Sequence, residues 1–187
     1  MSFFDALFGR TRLKKPKFDA LFRLAAVAPD LEAKGVPLDA KAGICCRPSE
    51  EQAFTDAFSN AQQIAQLYAQ EHSLTLDAPL DSEGFRWLVL AGGGPDDIIT
   101  GLHAAGDTLE GQGYGGALLA ALFRLQDRGG VTYLVYNYKR ATYYPFRPTT
   151  GRDREEAREL QLQAMLSDIL PIEPDLGRWY PIWQSPI

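Results

Sequence analysis

Two apolar runs, residues 117–125 and 131–139, flank the tetrapeptide Asp127-Arg128-Gly129-Gly130. A reversal this short and glycine-rich brings the runs together as an antiparallel hairpin. In the second run Val131, Tyr133, Val135 and Asn137 alternate with Thr132, Leu134, Tyr136 and Tyr138, so both faces are largely apolar. That strand is expected inside a sheet, covered on both sides.

The rest of the chain supplies strands and helices to pair and pack with this hairpin. Residues 40–47 read as a strand centred on Ile44 and Cys45 and stopped by Pro48. Residues 85–91 are apolar apart from Arg86 and read as a buried strand. Phe18, Leu21, Phe22 and Ala25 mark one face of a helix that Pro29 should end. Ser49 with Gln52 forms a capping-box pattern, predicting a helix over 50–71 with Phe54, Ala57, Phe58, Ala61, Ile64 and Tyr68 on one face. Residues 72–84 read as a loop. Ile98, Leu102, Ala105 and Leu109 predict a helix over 96–110, and Leu162, Met165, Leu166 and Ile169 another over 152–170. Glu155 and Arg158 are spaced to pair on the wet side of the latter. An irregular aromatic stretch lies around Pro145 and Pro148, and the proline-rich tail from Pro171, with Trp179, Tyr180 and Trp183, should be extended and docked. This order gives an α+β fold, a mainly antiparallel sheet with helices packed on it, as a single domain over 18–187. A three-layer doubly wound fold is the alternative.

Charge narrows the class of partner. The chain of 187 residues carries a net charge of −5, which argues against nucleic acid because phosphate binding needs a basic surface. Residues 1–17 hold Arg10, Arg12, Lys14, Lys15 and Lys17 against Asp5, a net +4 that leaves −9 downstream. They also hold Phe3, Phe4, Leu7 and Phe8 on one face of a short helix. An apolar face beside a basic run suits an anionic membrane surface, a partner helix, or packing on its own domain. No run is long and apolar enough to span a membrane. With no secretory pattern at the start, an intracellular, cytoplasmic protein is expected.

Residues that could carry chemistry have plainer readings. Gly92-Gly93-Gly94 lies between a strand and a helix, where a dinucleotide fingerprint would sit. Pro95 removes an amide there, and Asp96 and Asp97 oppose a phosphate, so a turn and helix start is the better reading. Cys45 and Cys46 are adjacent; in a strand they point to opposite faces, which disfavours a disulfide and favours reduced thiols. His72 and His103 have no metal-ligand spacing with them. Neither a metal nor a cofactor is expected, and no catalytic residue is nominated. Lys139, Arg140, Tyr143, Tyr144, Phe146 and Arg147 interleave cations with aromatics, as an interaction hot spot or a packed strand end would.

Several segments together resemble one family. They are Ser2-Phe3-Phe4-Asp5-Ala6-Leu7-Phe8-Gly9-Arg10, Gly43-Ile44-Cys45-Cys46-Arg47, Leu134-Val135-Tyr136-Asn137-Tyr138-Lys139-Arg140, Tyr143-Tyr144-Pro145-Phe146 and Arg178-Trp179-Tyr180-Pro181-Ile182-Trp183. Nearly end to end, the chain resembles the PspA-associated protein family PspAB. The resemblance implies an accessory of a phage-shock-type envelope stress response. It implies a PspA-like coiled-coil protein, or another member of that system, as partner at the inner face of the cell membrane. It supplies no catalytic or cofactor-binding residue. The expected function is therefore a non-catalytic adaptor or regulator. Its candidate contacts are Phe3, Phe4, Leu7, Phe8, Arg10, Arg12, Lys14, Lys15, Lys139, Arg140, Tyr143, Tyr144, Trp179 and Trp183. The alternatives are a small-molecule-binding protein or enzyme with a pocket near 92–94, and a peripheral membrane sensor acting through 1–17.

Overall fold

A computed structural model describes residues 19–47, 49–183 and 185–187. Its centre is a six-stranded sheet in the order β2-β3-β1-β4-β5-β6. The strands are β1 (Leu38–Cys46), β2 (Thr75–Asp77), β3 (Arg86–Ala91), β4 (Leu118–Leu125), β5 (Thr132–Asn137) and β6 (Thr142–Phe146). Every neighbouring pair is antiparallel. The chain is thus an α+β protein, and the doubly wound alternative is excluded. β4 and β5 form the expected hairpin, with Leu122 opposite Val135 and Phe123 opposite Leu134.

Both faces of the sheet are buried. On one, Ile44, Cys46, Leu88, Leu90, Ala121, Phe123, Leu134 and Tyr136 pack beneath α1 (Asp19–Ala26), α3 (Gln52–Glu71) and α4 (Pro95–Gly111). Leu162 and Leu166 of α5 (Glu156–Leu166) join the same core. On the other, Cys45, Trp87, Val89, Leu122, Val135, Tyr144 and Phe146 are covered by the tail, through Trp179 and Ile187 with Ile182 and Trp183 beside them. Period-2 alternation sends successive apolar residues to opposite cores, which is why the central strands read as continuous apolar runs.

The tail is held by polar contacts as well as by burial. Tyr133 Oη donates to the Ile187 main-chain oxygen at 2.6 Å, and Lys41 Nζ to that of Pro186 at 2.8 Å. Tyr144 Oη donates to the Tyr180 carbonyl at 2.9 Å, and Trp179 Nε1 to that of Glu173 at 2.9 Å. Gly43 makes room beneath it: a Cβ there would lie 2.9 Å from Leu88 O and 3.0 Å from Ile187 Cδ1.

Several local expectations change. Pro29 does not end α1, which stops at Ala26; it sits in the first turn of α2 (Ala28–Ala33), where a missing N–H costs nothing. The Ser49–Gln52 capping box does not form: Glu51 is the N-cap of α3, and Ser49 Oγ accepts from Glu51 N at 3.3 Å. The loop over 72–84 contains β2, three residues paired with β3. The aromatic stretch around Pro145 is β6, where Pro145 is tolerated opposite Leu134 of β5 in an outermost strand. Helix α5 is shorter than 152–170, because Arg154 bridges to Pro148 and Glu155 N donates to Arg147 O at 2.9 Å.

Candidate interaction surfaces

Phe3, Phe4, Leu7, Phe8, Arg10, Arg12, Lys14 and Lys15 lie outside the described residues. The aromatic candidates are turned inward. Tyr143 packs in the helix-side core against Tyr136, ring centroids 4.8 Å apart. Tyr144 and Trp179 stack at 6.2 Å in the tail-side core, each nearly inaccessible. Trp183 is half-buried, edge-on to Phe146 at 5.2 Å. These four rings fasten the tail and strand ends, so they offer a partner little surface. Lys139 is half-buried in the β5–β6 turn. Arg140 is exposed but committed: its Nε donates to Glu173, whose side chain is buried and also accepts from Thr142 Oγ1 at 3.3 Å.

Among the described residues the densest group of charges is a network that sequence inspection missed. Asp127, in the hairpin turn, accepts from Thr132 Oγ1 at 3.0 Å, from Arg147 Nη1 at 2.6 Å and from Arg158 Nη2 at 2.7 Å. Arg147 also reaches Glu155 at 2.7 Å and donates to the Arg128 carbonyl at 3.0 Å. Glu159 accepts from Arg147 N at 2.7 Å and from Arg154 Nε at 2.8 Å. Gly129 and Gly130 leave room for the guanidinium, since a Cβ on either would come within 3.1 or 3.2 Å of Arg147 Nη2. The expected Glu155–Arg158 pair is therefore replaced: Glu155 turns to Arg147 and Arg158 to Asp127.

Three carboxylates balance three guanidiniums, and each bond joins the hairpin turn, the end of β6 or α5. Burial pushes the Asp127 carboxyl up, but the hydrogen bonds from Arg158 and Thr132 and the charges of Arg158 and Arg147 outweigh it and hold it below the usual range. Burial leaves Glu159 raised despite its bonds from Arg154 and Arg147. Groups so engaged with one another hold the hairpin turn, the end of β6 and α5 together.

The glycine triplet opens α4 as a plain turn. Gly94 is the N-cap, Pro95 begins the helix, and Asp96 and Asp97 occupy its first turn. Gly92 and Gly93 have φ of +91° and +65°, and a Cβ on Gly93 would strike Leu74 Cδ2 at 2.6 Å. The cleft beside Gly94 is walled by Glu32, Asp96 and Asp97, with no Lys or Arg among the described residues that line it, an unsuitable cradle for a phosphate. His72 stacks on Tyr68 at 4.0 Å, its Nδ1 lying 3.2 Å from Asp97 Oδ1, and His103 packs on Phe22 at 4.3 Å. Cys45 and Cys46 are buried thiols in opposite cores. Among the described residues no group of three or more His, Cys, Asp or Glu could hold a metal ion, and no helix could cross a membrane.

The family described as PspAB, PspA associated protein B, matches residues 1–187. The chain belongs to the PspAB family. No curated protein and no solved structure matches it. Membership points to an accessory role in a PspA system, with PspA as the associated protein.

In this PspAB member the described helices expose a few large apolar side chains, Leu160 of α5 at 44% among them. Ile64 and Leu67 of α3 are 40% and 58% exposed, and Phe22 of α1 is 40% exposed. Asn60, Ile64 and Tyr68 follow one another at i+4. Asn60 Nδ2 donates to Gln112 Oε1 beyond the end of α4 at 3.1 Å, while Tyr68 closes on Gly101 of α4. Ile64 therefore lies on the flank of α3 that borders α4.

Proposed function

We infer that this protein is a non-catalytic adaptor or regulator that acts by binding PspA, in the cytoplasm at the inner face of the cell membrane. The observation that carries the reading is the match of the whole chain to a family described by its association with PspA. The side-chain chemistry agrees with it. The residues best suited to acid–base work, Asp127, Glu155 and Glu159, are spent on Arg147, Arg154 and Arg158. The glycine turn that could have cradled a phosphate is lined by carboxylates.

The sheet leaves little of itself for a partner, because helices cover one face and the tail the other. That directs binding to the outer surface of the helices and to residues 1–17. PspA-type proteins are coiled coils, and a helix laid against a helical surface is the corresponding contact. Affinity purification of the full chain from its own cells, probed for PspA, tests the reading. PspA should be retained through washes at moderate salt; its absence from the eluate, with the bait intact, would count against the proposal.

A further inference from the structure

We propose that the outer surface of α3 and α4 is a docking site for an amphipathic helix with basic flanks, presented by a protein partner. This deepens the protein-binding reading and rests on it. Three observations converge.

The first is charge. Helices α3 and α4, of 20 and 17 residues, contain Asp56, Glu71, Asp96, Asp97, Asp107 and Glu110 but neither Lys nor Arg. The chain as a whole carries 19 Lys and Arg, yet the formal charges on these two long helices are all acidic. Such a surface attracts a cationic partner and turns away anionic lipid.

The second is apolar exposure. Ile64 stands on the α4 side of α3 with the more exposed Leu67 next to it at i+3, and Phe22 stands across α4, its ring against His103. These three side chains would seat the apolar face of a helix.

The third is the floor between them. α4 packs between α3 and α1. Its accessible residues there include Thr100, Ala104 and Thr108, and Gly101 lets Tyr68 of α3 close against it. Small side chains between taller apolar ones form a shallow groove into which ridges of another helix fit. Asp107 and Glu110 on α4 and Glu71 on α3 are the carboxylates this surface would offer to Lys or Arg flanking the apolar stripe.

The test uses the full chain and a synthetic helical peptide of about 18 residues, roughly five turns, with Leu along one face, Lys on both flanks and Ala elsewhere. A peptide of equal composition with scattered Leu is the control. The double variant Ile64→Gln, Leu67→Gln changes only exposed side chains, and Leu176→Gln, in the tail, is the matched surface control. The patterned peptide should bind the parent and the Leu176→Gln protein alike, more weakly at high salt. It should lose roughly tenfold or more in affinity for the double variant. Equal binding of both peptides, or no loss in the double variant, would overturn the proposal. Binding that emerges only after residues 1–17 are removed would overturn it too, by making that segment the occupant. A parallel titration with PspA separates the two claims. If the peptide binds as expected and PspA does not, the groove stands and the PspA assignment falls. If PspA binds the double variant undiminished, the assignment stands and the groove is not its site.

Discussion

Gly43 lies directly beneath Ile187: a Cβ on Gly43 would approach Ile187 Cδ1 to 3.0 Å and Val89 Cγ2 to 3.1 Å. The central strand thus lacks a side chain where the tail crosses it. Gly43→Ala should destabilise by about 1–3 kcal/mol through overpacking, read as a lowered denaturant midpoint. Pairing it with Ile187→Ala should recover part of that loss, since the second change removes the clashing group. No recovery in the double variant would place the strain at Leu88 O instead.

The hairpin turn depends on Asp127. Asp127→Asn leaves Arg147 and Arg158 short of a buried counter-charge and should cost about 3–5 kcal/mol. The pH dependence has a definite sign. Asp127 is held below its ordinary pKa in the folded state, so the unfolded chain binds more protons between the two values and stability rises with pH there. Its contribution is complete above the ordinary carboxylate range and is lost as pH falls through the depressed folded value. Unfolding curves across the acid range should show this limb in the parent and not in Asp127→Asn.

Cys45 and Cys46 should be silent towards thiol reagents in the native protein. Burial raises both, with Cys46 and Asp81 adding to the shift of Cys45, and Cys46 is pushed up to about 12. At pH 8 neither forms appreciable thiolate. Both should react promptly in denaturant; rapid labelling without it would show that the tail or the helices open readily.

What the sequence made legible was local. The β4–β5 hairpin needs only two apolar runs and a glycine-rich turn, and both are contiguous. β2 was lost because three residues, two of them exposed, leave no periodicity. β6 was lost because Pro145 reads as a breaker until its place in an outermost strand is known. The ionic network joins partners 20 and 31 residues apart, a separation over which spacing gives no guide. Tyr143, Tyr144 and Trp179 were nominated by residue type; that the tail covers the second face of the sheet could not be read from type alone. The lack of Lys and Arg in α3 and α4 was visible in the sequence, and counting charge by segment along the whole chain would have found it.

Residues 1–17 lie before α1, and Leu21 is the first described residue of the helix-side core. Their removal should leave the thermal midpoint within a few degrees of the parent, because no described strand or core residue is lost. It should weaken association with PspA or with anionic vesicles, since four large apolar side chains and a net +4 go with it. Vesicle flotation and PspA pull-down at low and high salt separate the two routes, lipid attachment being the more salt-sensitive. Unchanged binding in both assays would assign no contact to the segment.

Binding of PspA by this chain can be read from calorimetric titration of the purified full-length protein with purified PspA. Saturable binding with a defined stoichiometry and a negative heat-capacity change from buried apolar surface is expected. A flat titration with both proteins folded, at concentrations up to about 100 μM, where an affinity near 1 μM gives a clear signal, would contradict it.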